Sequence, residues 1–404
     1  MNTNHTPSGG GAPRYPFPGG TALRPPPEYA RLRQADPVSR VTLPFGGEAW
    51  LAVRYSDVKF VFADPRFSRA ASIRPGTPRF FEHPVAEGMG YVDPPEHTRL
   101  RGLLKGPFTP RRVDAFRPSI TKIVDELLDE LARGGPPADL QSAFAVPLAG
   151  RGVCDFVGVP YADRDRFAPF FNVVTSTDPV SADAATQAIQ EVQAYFADLA
   201  AKERERPTDT FFGALVRRND EERRVTEEEL VNLAFGVVVA AYETTSAQLG
   251  NALVLLLRGP DPPAAGLRAH PEIAASAVDE LLRYTQLLSY GGNPYVATED
   301  LVLEDTLISA GDVVVPSINA ANRDERVFAD PDTLDLRRHP NPHLSFSHGA
   351  HFCLGAPLAR AELEIGLSGL VNRFPELRPA VPFDGLRWKP DRVMRSLESL
   401  PAEW

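Results

Sequence analysis

The stretch "SFSHGAHFCLGAPLAR", residues 345–360, limits what this chain can be more than any other part of the sequence. It contains Cys353, one of only two cysteines in 404 residues, between glycines and histidines and just before a predicted helix. Three interpretations of this cysteine are open. It could be a buried structural thiol, part of a metal site built from histidine and cysteine, or a thiolate that ligates one large cofactor.

The thiolate interpretation gives several neighbours of Cys353 a role. Gly349 and Gly355 let the backbone come close to a flat macrocycle, where a Cβ atom would collide. Phe346 can cover the sulfur, and His351 can reach a carboxylate of the cofactor. The helix predicted after the cysteine directs free backbone N–H groups and the positive end of its dipole toward a thiolate.

The metal interpretation depends on the density of histidines around the cysteine. The histidines concerned are His339, His343, His348 and His351. Neither the Cys-x2-Cys pairing of structural zinc nor a Glu-x-x-His partner accompanies them, which favours the cofactor interpretation. The other cysteine, Cys154, lies in the apolar segment "GVCDFVGV" and is predicted to be a buried structural thiol.

Charge and composition disfavour several classes of protein. The formal net charge is -10 and the sequence pI about 5.4, which argues against nucleic acid as the main partner. The longest apolar run, "LAFGVVVAAY", is about half the length of a membrane helix, and the first residues lack the apolar core of a secretory signal. We therefore expect a cytoplasmic protein that does not bind membranes, with a monomer as the default.

The order of elements predicts a mainly helical chain. Residues 1–27 are rich in proline and glycine and predict a flexible arm, and residues 28–404 form the main domain. The segment "VSRVTLPFGGEAWLAVR" predicts a β-hairpin, and residues 72–92 predict an irregular binding loop. Thr226 and Glu229 predict a capping box at the start of a long, buried central helix.

The run "FSHGAHFCLG" is similar, at every fixed position, to the haem-binding signature Phe-x-x-Gly-x-(Arg/His)-x-Cys-x-Gly of the cytochrome P450 superfamily. The longer run "NPHLSFSHGAHFCLGAPLAR" resembles the soluble bacterial, actinobacterial members, and the resemblance covers residues 25–404. It implies the mainly α cytochrome P450 fold, a helical domain with a small β-rich lobe. It also implies haem b with Cys353 as its axial ligand.

A second motif, "DELLR", agrees with this resemblance. It places Glu280 and Arg283 on one helix face, where they can pair. The family's Glu-x-x-Arg motif joins a loop arginine, here Arg338, in a structural lock beneath the haem. The alternative is a solvated surface pair.

A third motif, "AAYETTS", interrupts the central apolar helix. The resemblance makes Glu243 and Thr244 a catalytic pair that delivers protons, and it places Ala240 and Ala241 beside the haem. Ala241 stands where the family usually has glycine. In the alternative interpretation, the threonine hydroxyl only bonds the carbonyl one turn back and bends the helix.

The edge of the haem is implied to contact "DPPEHTRLR", which puts His97 and Arg101 one turn apart. Together with His351 they would hold the haem carboxylates, and an exposed basic face is the alternative. The family usually has an arginine where this chain has Tyr295, a phenol that can hydrogen-bond but not ion-pair. We therefore expect haem retention to be sensitive to salt and pH.

The resemblance implies a haem-thiolate monooxygenase that uses dioxygen to oxidise a small, largely apolar substrate, in secondary-metabolite biosynthesis. Oxidative coupling, cyclisation or another non-hydroxylating reaction is the first alternative, and a non-catalytic haem or ligand sensor is the second. For each pocket residue, membership of the core is the alternative. The candidate pocket residues are Phe80, Phe81, Tyr91, Val237, Ala240, Leu288, Tyr290, Asn293 and Met394.

Electrons are expected from outside the chain, because it has no flavin or nicotinamide fingerprint and no iron–sulfur cysteine pattern. The resemblance implies ferredoxin and ferredoxin reductase as the donors. An acidic ferredoxin would dock on a basic patch despite the negative net charge. This basic patch consists of Lys105, Arg111, Arg112 and Arg360.

Overall fold

The computed structural model of the chain describes residues 11–82, 88–176, 181–390 and 392–404. Its helices are α1 Glu28–Ala35, α2 Tyr55–Ala63, α3 Glu96–Leu104, α4 Pro110–Gly134, α5 Val146–Val157, α6 Ala168–Thr175, α7 Ala182–Glu205, α8 Phe211–Glu222, α9 Glu227–Leu256, α10 Pro263–Ala269, α11 Ala274–Tyr284, α12 Ile318–Ala321 and α13 Ala356–Arg373. Its strands are β1 Val38–Thr42, β2 Glu48–Ala52, β3 Phe67–Ser68, β4 Ala138–Asp139, β5 Tyr295–Ala297, β6 Leu301–Leu303, β7 Thr306–Ile308, β8 Val313–Pro316, β9 Arg378–Pro379 and β10 Pro401–Glu403.

The largest sheet has the strand order β1-β2-β8-β5-β3. Strands β1 and β2 pair antiparallel, with Arg40 opposite Trp50, so the predicted hairpin is confirmed. Strand β2 then pairs parallel with β8, Trp50 opposite Val314. The sheet lobe therefore joins the hairpin to strands that lie more than half the chain away, which is why its topology cannot be read from local patterns.

Helix α9 is the central element of the helical part. Thr226 Oγ1 accepts the backbone N–H of Glu229, and the Glu229 carboxylate accepts the N–H of Thr226, so the predicted capping box is confirmed. By length and composition α9 could cross a membrane, but the core helix of a globular protein passes the same test. Here α9 packs against α5, α7 and α13, and its C-terminal half is buried.

Residues 11–27 pack on the rest of the fold, where composition predicts a flexible arm. Tyr15, Phe17 and Leu23 are buried, and the backbone N–H of Tyr15 donates to the Thr42 carbonyl at 3.0 Å. The prediction is wrong for residues 11–27, because a few buried aromatic and leucine side chains outweigh the surrounding prolines and glycines. Residues 1–10 lie outside the described residues.

Candidate active site

The loop that carries Cys353 is fixed by backbone contacts. The N–H of Cys353 donates to the Phe346 carbonyl at 2.8 Å, and α13 begins three residues after the cysteine. Gly349 has φ +69°, and a Cβ there would collide with the Phe62 carbonyl at the end of α2, so the fold itself requires this glycine. At Gly355 a Cβ would meet only the Cys353 sulfur, at 4.0 Å, so the space beside the thiol is open.

Cys353 is accessible, although its sulfur sits in a protein recess. Desolvation in this recess raises the pKa of the thiol, while the Gly355 N–H, the Arg101 charge and the Ala356 N–H oppose that rise. These groups are the stabilising partners that a thiolate needs. Cys154 differs, because it is buried and its burial raises the pKa of its thiol to about 12, as expected of an inert structural cysteine.

The residues predicted for the haem edge converge. The imidazole rings of His97 and His351 lie 4.3 Å apart, and Arg101 Nη2 donates to the Phe352 carbonyl at 2.6 Å. Burial lowers the pKa of His97, and burial followed by the charges of His97 and Arg69 lowers the pKa of His351 to about 3. Burial therefore favours the neutral form of both imidazoles, and the alternative of an exposed basic face is wrong for His97, which is 2% exposed.

Sequence reasoning missed Arg69, which lies next to this group. Its guanidinium carbon is 5.1 Å from the centroid of the Tyr295 ring and 4.7 Å from that of Tyr91. No local pattern singles out Arg69, because it lies in an irregular turn after β3 and meets Tyr295 only through the β3–β5 pairing.

The three residues of the predicted structural lock, Glu280, Arg283 and Arg338, are in contact. Arg283 binds Glu280 through two hydrogen bonds of 2.7 and 2.8 Å, and Arg338 Nε lies 3.1 Å from the same carboxylate. Asn341 adds a contact of 3.2 Å, which sequence reasoning also missed. Glu280 and Arg283 are at most 1% exposed, so the alternative of a solvated surface pair is wrong.

On α9, the Thr244 hydroxyl makes the local hydrogen bond to the carbonyl one turn back that the alternative interpretation predicts. Thr244 Oγ1 donates to the Ala240 carbonyl at 2.5 Å. Ala240 is exposed, and Val237, Ala241 and Thr244 are half-buried, so these residues form an accessible stripe on one helix face. The local hydrogen bond and a position on an accessible face are compatible, because the hydroxyl oxygen retains its acceptor lone pairs.

The side chain of Glu243 interacts with residues that are distant in sequence and that no sequence pattern predicts as its partners. Burial raises the pKa of its carboxyl, while a hydrogen bond with Thr175 and the charges of Arg392 and Lys389 act in the opposite direction. Arg392 Nη1 also donates to Thr175 Oγ1 at 3.1 Å. Glu243 therefore connects α9 to the end of α6 and to the C-terminal loop.

The substrate candidates fall into two groups. Phe80 and Tyr290 stack at 4.7 Å and are buried in the core of the sheet lobe with Tyr15, so the core alternative describes their packing. The others are partly or fully accessible, and Leu288 pairs with Met394 in an isolated β-bridge. These accessible candidates are Phe81, Tyr91, Val237, Ala240, Leu288, Asn293 and Met394. Residues 83–87 of the predicted binding loop lie outside the described residues.

The histidines of the cysteine loop do not gather around the sulfur. His343 Nε2 lies 3.3 Å from Asp279 Oδ1, while His351 packs on His97. Within the described residues, no group of three or more histidine, cysteine or acidic side chains could hold a metal ion. Nothing in this geometry supports the zinc or non-haem iron interpretation.

Comparisons with known proteins agree with this site. The profile of the cytochrome P450 family matches residues 261–380. Mycinamicin IV hydroxylase/epoxidase of Micromonospora griseorubida is 42% identical over 96% of this chain and 98% of that protein. The chain belongs to the cytochrome P450 family.

Solved cytochrome P450 structures share the fold over the full length. The LnmA cytochrome P450 hydroxylase from the leinamycin biosynthetic pathway of Streptomyces atroolivaceus S-140 has a TM-score of 0.90 and 44% identity, covering 97% of this chain and 100% of that one. Cytochrome P450mel 107F1, described as having biaryl coupling reactivity, has a TM-score of 0.89 and 37% identity, covering 96% and 98%.

As a member of the family, this cytochrome P450 is a haem-thiolate monooxygenase whose cofactor is haem b. Its residues fit that cofactor. The accessible thiol with its backbone donors suits a ligated iron, the donors around His97 and Arg101 suit carboxylates, and the accessible stripe of α9 suits a flat face.

Proposed function

We propose that this cytochrome P450 binds haem b through Cys353 and oxidises a small, largely apolar secondary metabolite. The observation that carries the proposal is an accessible thiol to which the N–H groups of Gly355 and Ala356 and the charge of Arg101 are directed. When bound, the haem supplies the chemistry that activates dioxygen.

The carbon-monoxide spectrum of the reduced protein tests this ligand. The wild type should give the band of a thiolate-ligated haem, and Cys353→His should give that of a histidine-ligated haem. Cys154→Ser is the matched control, and it should leave the thiolate band in place. A histidine-type spectrum from the wild type would contradict the proposal.

The residues on α9 suit proton delivery. We assign Glu243 as the acid that relays protons, supported by the burial that raises the pKa of its carboxyl. Thr244 has a partly accessible hydroxyl, already anchored on Ala240, that can pass a proton onward. The apolar stripe around Val237 and Ala241 would orient the substrate and exclude water.

Oxidative coupling or cyclisation is the second candidate reaction. The observation that favours it is Ala241, a methyl group on the accessible stripe of α9 at the position where the resemblance implies glycine. The 37%-identical relative described as having biaryl coupling reactivity shows that such chemistry occurs in this fold. Turnover under labelled dioxygen separates the candidates, because only oxygenation places the label in the product.

We propose a ferredoxin and its reductase as electron donors and the cytoplasm as the site of action, with the enzyme as a monomer. Lys105, Arg111 and Arg112 are exposed near the start of α4, whereas Arg360 is 2.8 Å from Asp279 and contributes less charge. Reversing the charges of Lys105 and Arg111 should slow reduction by an acidic ferredoxin, whereas Arg31→Glu on α1 should not. Equal reduction rates would argue against this docking patch.

A further inference from the structure

Arg69 is a buried guanidinium with few partners. The residue is 4% exposed. Its Nε donates to the Gly90 carbonyl at 3.2 Å and its Nη1 to the Pro294 carbonyl at 2.9 Å. Its Nη2 donates to none of the described residues, yet it is not among the polar atoms sealed inside the protein. The group therefore has hydrogen-bonding capacity that the described chain does not use.

The guanidinium of Arg69 also makes no direct ion pair with a carboxylate of the described residues. Among the described residues, none of the ion pairs includes its guanidinium, and the neighbouring Asp93 instead accepts the backbone N–H of Arg69 at 2.8 Å and the Ser68 hydroxyl at 2.5 Å. Arg33, in the same lobe and 5% exposed, has the ordinary arrangement, with Glu325 at 3.0 Å. A buried cation without a counter-charge is costly unless a ligand supplies that charge.

The surroundings of Arg69 indicate the chemistry of that ligand. Its guanidinium carbon lies 5.1 Å from the centroid of the Tyr295 ring, which in turn lies 6.5 Å from the ring of His351. His351 packs on His97, one turn before Arg101 on α3. Two cations, the single carboxylate of Asp93 and several neutral donors thus share one region, and haem b carries two carboxylates at its edge. We propose that Arg69 binds a haem carboxylate and supplies the positive charge that the neutral Tyr295 cannot.

This proposal rests on the proposed haem site at Cys353, and it revises the expectation drawn from the sequence. A phenol at position 295 predicts haem retention that is sensitive to salt. A buried guanidinium predicts the opposite, because salt screens buried pairs much less than exposed ones. Arg69 also holds the carbonyl of Gly90, so the same side chain connects the haem edge to the substrate loop.

Transfer of haem from the ferric holoenzyme to excess apomyoglobin tests the proposal. Arg69→Gln should release haem at least about tenfold faster than the wild type, which corresponds to about 1.4 kcal/mol, and Arg69→Lys should show a smaller change. The matched control is Arg33→Gln, which removes a guanidinium of equal burial that has its own carboxylate. It should leave haem release unchanged even if it lowers folding stability.

Adding Tyr295→Arg to Arg69→Gln should restore slow release, because it returns a guanidinium to the same region. Wild-type release from Arg69→Gln, equal acceleration in Arg33→Gln, or no rescue by Tyr295→Arg would each overturn the proposal. If Arg69→Gln yields no holoenzyme, Arg69→Lys replaces it in the test, and haem release at the wild-type rate from Arg69→Lys would then overturn the proposal. For the wild-type protein, haem release that high salt does not accelerate would support a buried charge pair. Failure of Cys353 as the ligand would appear separately, in the carbon-monoxide spectrum of the wild type.

Discussion

At the scale of single residues, the buried ionisable side chains are the positions where a substitution is expected to have the clearest effect. Glu362 of α13 is 2% exposed, its Oε1 has no hydrogen-bond partner among the described residues, and burial raises the pKa of its carboxyl to about 8. A Cβ on Gly152 of α5 would collide with this carboxylate oxygen, so the fold leaves space for the acid. None of the ion pairs among the described residues includes it, and burial is the cause of its raised pKa. The acid is therefore neutral in the folded protein at pH 7.

Glu362→Gln should change how folding stability depends on pH. The pKa of Glu362 is about 8 when folded and near the ordinary 4.5 when unfolded. Between these values the folded state holds a proton that the unfolded state has released, so stability falls as pH rises, by at most about 1.4 kcal/mol per unit. The variant lacks this loss, and its Tm should exceed that of the wild type more at pH 8 than at pH 5.

The matched control is Glu364→Gln on the same helix, where the carboxylate is 31% exposed and forms an ion pair with Arg117. Its Tm should follow that of the wild type across the same pH range. If the Glu362→Gln and wild-type curves run parallel, the acid is ionised in the folded state and the assignment is wrong.

Thr244→Ala should uncouple reductant consumption from product formation. The variant removes a hydroxyl on the accessible stripe but keeps the helix, because the Ala240 carbonyl is still bonded within α9. We expect product per reductant to fall at least about tenfold, since one positioned proton-transfer group typically contributes about a hundredfold or more. Thr244→Ser, which keeps the hydroxyl, should retain most of the coupling, and an unchanged product yield in Thr244→Ala would exclude this role.

At the scale of elements, the structure shows which sequence patterns were sufficient. The capping box, the hairpin and the Glu280 lock were predictable, because each is encoded by spacing within one helix, by one turn or by a specific motif. The partners of Glu243 and the position of Arg69 were not, because α9 meets Arg392, and β3 meets β5, only in the folded chain. Long-range packing thus decided the residues that sequence reasoning missed.

Glu280→Gln should destabilise the element that the lock holds. The carboxylate is fully buried and neutralises Arg283 and Arg338, so its removal leaves two cations without their counter-charge. Breaking a buried pair in this way costs roughly 3–5 kcal/mol, measurable by urea unfolding. Glu272→Gln, where the side chain is 65% exposed, should cost less than about 1 kcal/mol. Similar losses in both variants would show that the lock is not stabilising.

At the scale of the whole molecule, the N-terminal segment is bound to the residues that follow α11 and to the C-terminal loop. The Ala22 carbonyl accepts the backbone N–H of Gln286, and the Thr21 carbonyl accepts hydrogen bonds from the side chains of Gln286 and Arg395. The N-terminal segment is therefore a strap across the sheet lobe. The fold class was predictable from the cysteine signature, but this strap was not, because its proline and glycine content resembles that of a disordered arm.

Tyr15→Ala should measure the strength of this strap. The side chain is 1% exposed, its hydroxyl donates to the Tyr290 carbonyl at 2.9 Å, and its ring lies 5.2 Å from that of Phe17. We expect a loss of about 3–5 kcal/mol in unfolding free energy. Tyr15→Phe, which removes only the hydroxyl, should cost about 1 kcal/mol. No loss in Tyr15→Ala would restore the interpretation of a loose arm.

The strand order also determines when the sheet lobe can fold during synthesis on the ribosome. Strand β2 emerges early, but its neighbour β8 and the loop around Arg395 emerge near the end of synthesis. Strand β2 therefore has no β8 to pair with while the helical part is synthesised. During this time its unpaired edge is prone to aggregation. The lobe at the start of the sequence is thus among the last parts of the molecule to become folded.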